Sequence, residues 1–249
     1  MLAKRIIPTL LCRGRQLVKG VAFDSWRSVG LAAQAVRIHN MRGVDELVLL
    51  DITATQEGRG PDLELVKELS EVCFMPLAVG GGIRSLDDAK AVLLAGADKV
   101  VIGQAAWTTD VVRRMADALG SQAAVVICDV VAKIADVDTL KPGVRCMREV
   151  APDRVRWIVE QGAGEILLQS VDRDGTLDGY DTGLIAAVSK AVTVPVVASG
   201  GCGNYEHMRQ AIEAGASAVA AGAMFQFTDL TPQGAAEYLN KQGIEARVA

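Results

Sequence analysis

Residues 75–83 read MPLAVGGGI and residues 194–202 read VPVVASGGC, so a proline, a short apolar run and a glycine pair recur 119 positions apart. The same offset relates AGADKVVIG at 95–103 to AGASAVAAG at 214–222. Continuous apolar runs of this length are typical of parallel strands covered on both faces. A fixed internal offset indicates one architecture built from two similar halves, approximately 1–120 and 121–240.

Apolar runs of this kind alternate with amphipathic segments along the chain. Such an alternation predicts parallel strands with helices outside them, and eight units within 249 residues predict a single (β/α)8 TIM barrel covering 1–249. The predicted strands are 6–11, 47–51, 76–79, 99–102, 124–128, 166–169, 194–198 and 216–221. The predicted helices are 62–73, 86–95, 109–119, 152–161, 183–191 and 205–214.

Composition excludes several classes of protein. The chain is 50% hydrophobic but only 4% aromatic, which favours a large aliphatic core. A net charge of −4 with no Lys/Arg run argues against a nucleic-acid partner. No apolar stretch approaches the roughly 20 residues of a membrane span. Five cysteines without a CxxC pair predict reduced thiols and a cytoplasmic protein. No nucleotide fingerprint or metal-ligand constellation is present, so no cofactor is expected.

Glycines follow the strands at two facing positions of the predicted barrel. In such barrels the functional groups lie at the carboxyl ends of the strands, and phosphates favour the loops after the seventh and eighth. Glycine lets backbone N–H groups approach phosphate oxygens closely. We expect one phosphate site at Gly200, Gly201, Gly222 and Ala223, and a second at Gly82 and Gly103. Together they suit an elongated ligand with a phosphate at each end; tight turns are the alternative explanation.

Charged residues stand at the opposite ends of the strands. Arg5, Glu46, Lys99 and Glu165 lie where the first, second, fourth and sixth strands begin. Strand direction predicts that they form a ring of alternating charge at the amino-terminal mouth. That face of the barrel usually serves stability, so a structural ring is the default interpretation.

Eight motifs are spread along almost the whole chain. They are IIPTLL at 6–11, LVKG at 17–20, DELVLLDIT at 45–53, VGGGIRS at 79–85, GADKVVI at 96–102, GSQAAVV at 120–126, GAGEILLQSVDRDGT at 162–176 and VPVVASGG at 194–201. Together they resemble the HisF family, the cyclase subunits of imidazole glycerol phosphate synthase. The resemblance implies a heterodimer with a HisH-like glutaminase, whose ammonia passes through the barrel to a bis-phosphorylated ribulosyl substrate. Arg5, Glu46, Lys99 and Glu165 would form the ammonia gate, and Asp98 would contact the glutaminase.

The resemblance also assigns residues at the top of the barrel. Lys19 would reach the anionic substrate, while Asp174 and Gly175 match positions near the second phosphate. The family uses two catalytic aspartates, and the one that ends the fifth strand is present as Asp129. The other is replaced, because the family pattern IPCLDV reads IPTLLC at 7–12 and places Leu11 at the aspartate position. Loss of one acid/base group commonly costs about 10²–10⁴ in rate.

Two further positions differ from the family. Gly103 and Gln104 replace an Asn-Thr pair, and Gln169 replaces a threonine. The gate residues are retained while the substrate end of the first half is altered. The strand 1 end and CFMP at 73–76 resemble the WbuZ-like glycosyl-amidation branch, found in surface-polysaccharide clusters and thought to work with a separate amidotransferase.

Three functional hypotheses follow. The first is a HisF-like barrel that passes glutamine-derived ammonia to an amidation reaction. The second is an authentic cyclase of histidine biosynthesis, with the missing acid/base work taken over by Asp51, Lys19 or water. The third is an inactive scaffold that only activates the glutaminase.

Overall fold

The computed structural model describes residues 3–132 and 146–247, and in these residues eight parallel strands close into a barrel surrounded by helices. The barrel strands are β1 (Arg5–Arg13), β4 (Leu47–Asp51), β5 (Leu77–Gly80), β6 (Lys99–Ile102), β7 (Ala124–Val131), β9 (Glu165–Ser170), β10 (Val196–Ser199) and β11 (Ala218–Ala221). Pairing of β11 with β1 closes the barrel. The predicted (β/α)8 fold is confirmed.

Helices follow the strands. They are α1 (Ala32–Met41), α2 (Leu63–Ser70), α3 (Leu86–Leu94), α4 (Val111–Leu119), α5 (Ala151–Glu160), α6 (Thr182–Ala191), α7 (Tyr205–Glu213), α8 (Ala223–Phe227) and α9 (Pro232–Lys241). Where strands and helices were predicted, they lie at the predicted places, with ends that differ by at most three residues. No helix in the described ranges is long and apolar enough to cross a membrane.

The middle of each barrel strand is mostly apolar because both of its faces are buried. One core lies between the barrel and its helices, and a second fills the barrel interior. The interior core is formed by Ile7, Val48, Ala78, Val101, Val125, Leu167, Val197, Ala218 and Ala220. Alternation along a strand sends successive side chains to the two cores. On β7, Cys128 packs outward, whereas Asp129 faces the cavity at the barrel mouth.

The internal sequence offset has a local structural counterpart. Asp62 caps α2 and Asp181 caps α6, each by accepting a backbone N–H bond three residues on. Gly81 and Gly200 both have positive φ, +117° and +92°. A Cβ on Gly81 would lie 2.5 Å from the carbonyl oxygen of residue 51, and one on Gly200 would lie 2.4 Å from that of residue 170. Corresponding loops in the two halves therefore share the same close backbone packing.

A β-hairpin that the sequence pattern did not predict lies between β1 and α1. It consists of β2 (Gln16–Val21) and β3 (Asp24–Leu31), and β2 pairs antiparallel with the end of β1. Lys19 lies in β2. A further short strand, β8 (Cys146–Met147), pairs with β7.

Candidate functional site

A cavity of about 890 Å³ opens at the carboxyl ends of the barrel strands. It brings together the residues that were predicted at this end from several strands and from the hairpin. The predicted residues that line it are Leu11, Lys19, Gly82, Gly103, Asp129, Asp174, Gly175, Gly200, Gly201, Gly222 and Ala223. This is the end at which barrels of this fold hold their ligands.

A buried cation lies beside Gly222, one of the second-half glycines. Nζ of Lys19 lies 2.9 Å from Oδ1 and 3.2 Å from Oδ2 of Asp174. A Cβ placed on Gly222 would be 3.6 Å from the same ammonium. Gly201 has φ +99°, and a Cβ there would lie only 2.2 Å from the carbonyl oxygen of Gly179. Backbone free of side chains and an ammonium group together can hold an anion here.

The first-half glycines also form a loop at the cavity, but the residues around it are different. Gly82 has φ +71°, and a Cβ there would be 2.8 Å from the carbonyl oxygen of Arg59. Gly103 and Gln104 line the same rim of the cavity. Arg84, next to Ile83 after these glycines, also lines the cavity; it is exposed, and its Nη1 donates a 3.0 Å hydrogen bond to the carbonyl of Gly58.

The two positions of the family's catalytic pair are both at the mouth. Asp129 is the register partner of Gln169 on β9, and both side chains line the cavity. Leu11 is the register partner of Leu50 on β4, and it is 8% exposed. A leucine side chain has no proton to exchange. Of the two positions that the family resemblance singles out, the one on β7 carries a carboxylate, Asp129, and the one on β1 carries an aliphatic side chain, Leu11.

Asp51 is committed to a contact that sequence reasoning missed. Its Oδ2 lies 2.7 Å from Nη2 of Arg59, and its Oδ1 accepts backbone N–H bonds from Thr53 at 3.0 Å and Ala54 at 3.2 Å. Lys19 bonds Asp174 instead of Asp51. Arg59 belongs to no recognisable motif. It reaches Asp51 because of the path of the loop between β4 and α2, which the sequence pattern does not predict.

The hairpin adds aromatic residues that were also missed. Phe23 and Trp26 line the cavity, with ring centroids 6.5 Å apart, and the guanidinium of Arg13 lies 5.3 Å from the Trp26 ring centroid. Ala22, Phe23 and Ser25 have positive φ values. The sequence does not place the aromatic residues of 23–26 at the cavity, because their position there depends on the hairpin.

Cys202 lines the same cavity, but its chemistry is unfavourable for nucleophilic attack. Burial raises the pKa of the Cys202 thiol to about 12, although hydrogen bonding with Tyr180 and with the backbone of Asn204 opposes that shift. The thiol is protonated at neutral pH, and the thiolate is the nucleophilic form. No group of three or more potential metal-binding side chains occurs in the described ranges.

The charged ring forms at the opposite end of the barrel as predicted from strand direction. Arg5 bonds both Glu46 and Glu165, and Nζ of Lys99 lies 2.9 Å from Glu46 and 2.8 Å from Glu165. The two glutamate side chains are 4% and 6% exposed, whereas those of Arg5 and Lys99 are 28% and 22% exposed. Burial raises the pKa of Glu165, but hydrogen bonds and charge from Arg5 and Lys99 outweigh it and hold the pKa below its usual value.

Asp98 precedes Lys99 of this ring in the sequence, and its carboxylate accepts a hydrogen bond from the backbone of the neighbouring strand β5. Its Oδ2 accepts a 2.8 Å hydrogen bond from the backbone N–H of Leu77, and its own N–H donates to the carbonyl of Leu77 at 2.9 Å. Asp98 therefore ties the start of β6 to the start of β5 at the amino-terminal face.

Comparisons with known proteins agree with this arrangement. Residues 5–231 match the family model described as histidine biosynthesis protein. The HisF subunit of imidazole glycerol phosphate synthase from Caulobacter vibrioides (strain NA1000 / CB15N) is 44% identical over 255 residues, covering 100% of this chain and 97% of that protein. The HisF subunit from Chlorobium phaeobacteroides (strain BS1) is 44% identical over 252 residues, covering 100% of both chains. The chain thus belongs to the histidine biosynthesis protein family and, within it, to the HisF family.

Proposed function

We propose that this chain is the synthase subunit of a glutamine-dependent complex of the imidazole glycerol phosphate synthase type. A HisH-like glutaminase docks at the amino-terminal face, and its ammonia crosses the barrel to an amidation reaction in the cavity at the other end. The relatives named HisF subunit of imidazole glycerol phosphate synthase support this type of activity.

The observation that carries the proposal is the apolar interior that separates the two ends of the barrel. The charged ring of Arg5, Glu46, Lys99 and Glu165 closes one end, and the acceptor cavity opens at the other. Between them the interior is packed with aliphatic side chains such as Ile7, Val48 and Val125. Neutral ammonia can cross such an interior, whereas desolvation penalises ammonium ions.

At the cavity the roles follow from position and charge. Lys19 and the glycines at 200, 201 and 222 hold a phosphate of the acceptor. Asp129 exchanges protons with the attacking amine or with the leaving group. Leu11 faces the same space without a proton to offer, so turnover on the bis-phosphorylated ribulosyl substrate of the HisF family should be slow. Together with CFMP at 73–76, Leu11 favours an amidation of the WbuZ-like kind.

A second candidate is an authentic cyclase of histidine biosynthesis. It is favoured by the 44% identity to HisF subunits over the full length of the chain. In that case a group other than Leu11 supplies the second proton transfer. Because Asp51 is paired with Arg59 and Lys19 with Asp174, ordered water would have to be that group.

The two candidates differ in turnover on the HisF substrate with saturating ammonium, which bypasses the glutaminase. We expect wild type to be at least about 10²-fold slower than Leu11→Asp, with Leu11→Asn as the matched control that adds a polar group but no carboxylate. Rapid turnover by wild type would establish the authentic cyclase. If both proteins fold and neither turns over, the acceptor is a different molecule and the amidation proposal stands.

A second measurement distinguishes the inactive-scaffold hypothesis from the amidation proposal. With a HisH-like glutaminase present, glutamine hydrolysis should rise when the barrel is added. Ammonia-dependent product formation should be lost in Asp129→Asn while glutamine hydrolysis is retained. A complex that forms no aminated product with any acceptor, and that is unaffected by Asp129→Asn, would be a scaffold. No association with the glutaminase would overturn the proposed function.

A further inference from the structure

The inward-facing residues of β1 run in order from the charged ring to the cavity mouth. Arg5 belongs to the ring, Ile7 belongs to the interior core, and Thr9 and Leu11 line the cavity. Alternate residues of a strand share one face, and Leu10 accordingly packs in the outer core. At about 3.3 Å per residue, Thr9 lies about 13 Å along the strand from Arg5. Thr9 is the first polar side chain that this strand presents beyond the apolar interior.

The hydroxyl of Thr9 is buried and has no hydrogen-bond partner among the residues that the structure describes. The residue is 9% exposed, and its Oγ1 is a buried polar atom without a partner in those residues. Its register partner on β4 is Val48, an aliphatic residue of the interior core. On the other side, a Cβ on Gly222 would lie 3.0 Å from the carbonyl oxygen of Thr9, so this neighbour has no side chain to offer. A buried hydroxyl without a partner is unfavourable for stability.

The other threonines that line the cavity in the described ranges differ from Thr9. The hydroxyls of Thr108 and Thr109 donate to backbone carbonyls four residues earlier, at 3.3 Å and 2.8 Å. Thr55 is exposed at the rim. Thr9 thus combines burial with an unsatisfied hydroxyl at the floor of the cavity.

The residue type at this position is also a departure from the family. The family pattern IPCLDV has a cysteine where this chain has Thr9 and an aspartate where it has Leu11. A thiol is a weak hydrogen-bonding group, whereas a hydroxyl donates one bond and accepts two. The strand therefore has no carboxylate at the mouth, but it carries a strong hydrogen-bonding group two residues below, on the same face.

We propose that the hydroxyl of Thr9 binds one molecule of neutral ammonia at the floor of the cavity. The hydroxyl oxygen accepts a hydrogen bond from an N–H of the ammonia, which leaves the nitrogen lone pair free to face an acceptor held above it. This inference deepens the proposed function and rests on it, because it concerns the ammonia that the proposed reaction consumes.

The surroundings of Thr9 suit ammonia. Aliphatic neighbours such as Val48 and Leu11 disfavour the charged ammonium ion by desolvation and select the neutral molecule. Rotation about χ1 interchanges the hydroxyl and methyl positions of a threonine, so the oxygen can face a ligand in the cavity without a change of the backbone. Because the hydroxyl has no partner in the described residues, its bond to ammonia replaces no bond among them.

Methyl NMR of the purified chain, without glutaminase or acceptor, tests the proposal. Threonine and leucine methyl groups are labelled with carbon-13. Ammonium chloride is added at pH 9, where a large part is neutral ammonia, and sodium chloride is the salt control. We expect the Thr9 and Leu11 signals to shift saturably with ammonia, whereas the Leu10 signals, from the outer face of β1, stay in place. At pH 7, where ammonium predominates, the same additions should shift them far less. Equal responses to the two salts would overturn the proposal.

Thr9→Val and Thr9→Ser are the matched variants, since the first replaces the hydroxyl by a methyl group of similar size and the second keeps it. Thr9→Val should weaken the ammonia response of the Leu11 signals about tenfold, through loss of one hydrogen bond, and Thr9→Ser should respond as wild type does. The urea midpoint of Thr9→Val should equal or exceed that of wild type, because no bond among the described residues is lost. A lower midpoint, or an undiminished response of Leu11, would contradict the proposal.

The outcome is separable from that of the proposed function. Association with a HisH-like glutaminase and stimulation of glutamine hydrolysis concern the amino-terminal face and do not involve Thr9. A chain that stimulates the glutaminase but whose Thr9 signal does not respond to ammonia would refute this inference and leave the proposed function intact. A chain whose Thr9 binds ammonia but which does not associate with the glutaminase would refute the proposed function and leave the ammonia site.

Discussion

The ammonium of Lys19 lies 2.9 Å from Oδ1 of Asp174, although the two residues are 155 positions apart and both side chains are buried. The contact joins the β2–β3 hairpin to the loop after β9. A second bond between the same segments runs from the backbone N–H of Ala22 to the carbonyl of Asp174, at 2.8 Å. One ion pair therefore both places a cation beside the anion site and holds the hairpin over the cavity.

Breaking this pair from either side should destabilise the fold. We expect Lys19→Met and Asp174→Asn each to lower the free energy of unfolding by about 3 kcal/mol, because each leaves a buried charge without its partner. The double variant should lose less than the sum of the two. Urea unfolding of the four proteins measures this coupling.

The exposed pair Arg15–Glu68 is the matched control, since its side chains are 58% and 44% exposed. Arg15→Met should change stability by less than about 1 kcal/mol. Additive losses in the Lys19 and Asp174 variants would mean that the buried contact contributes nothing as a pair.

The internal repeat made most of the barrel predictable, because strand, turn and helix signals recur in it. Alternation along β7 explains why Cys128 and Asp129 face opposite ways. The hairpin was not predictable in the same way. Its residues 16–31 mix charged, aromatic and apolar types without a clear period, and burial of Lys19 depends on Asp174 far along the chain.

The site was predictable to the extent that it follows from strand ends. The phosphate glycines and the charged ring could be found because strand direction alone assigns them to opposite mouths. The pairing of Asp51 with Arg59 depends on the path of a loop, for which the sequence carries no periodic signal. The placement of Leu11 beside Leu50 depends on strand register, which a single sequence does not specify.

The charged ring should make stability depend on acid pH. The pKa of Glu165 in the folded protein lies below its usual 4.5, so the folded state binds fewer protons than the unfolded state in this range. The stabilisation is complete above pH 4.5 and is lost as the pH falls through the folded-state pKa. We expect Glu165→Gln to be less stable at neutral pH and to lose less stability on acidification.

Unfolding free energies of wild type and Glu165→Gln between pH 6 and pH 3 test this expectation. Glu160→Gln, an exposed position at the end of α5, is the control and should follow wild type. If Glu165→Gln and wild type showed parallel pH curves, the ring would not be the source of the acid sensitivity.

A buried histidine should produce a separate loss of stability at higher pH. Burial, together with the charge of Arg42, lowers the pKa of His39 from 6.5 to about 4. Between these values the unfolded state takes up a proton that the folded state does not, so stability falls as the pH drops from 6.5 to 4. The full loss is on the order of 3 kcal/mol.

His39 packs edge-on against Phe225, with ring centroids 6.5 Å apart, so an apolar replacement is tolerable. We expect His39→Leu to remove the slope of unfolding free energy between pH 6.5 and 4.5, where Glu165 does not yet contribute. A slope that persists in His39→Leu would assign it to another group.

The face that carries the charged ring also exposes large apolar side chains. Met41 ends α1, Leu94 ends α3, and Phe74 lies between α2 and β5; they are 81%, 88% and 82% exposed. Helices run antiparallel to the barrel strands, so these helix ends lie at the amino-terminal mouth. The backbone N–H of Phe74 donates a 3.1 Å hydrogen bond to Oδ1 of Asn40, which fixes its position beside α1.

A glutaminase that docks over the ring would cover Phe74. We expect Phe74→Ser to weaken association with a HisH-like glutaminase by about tenfold or more, since a buried aromatic anchor commonly dominates an interface. The free energy of unfolding of Phe74→Ser should equal that of wild type, because the Phe74 side chain is exposed in the isolated chain. Phe227→Ser is the matched control: Phe227 is 41% exposed, but it ends α8 near the opposite mouth. Equal weakening by the two variants, or none by Phe74→Ser, would place the glutaminase elsewhere on the barrel.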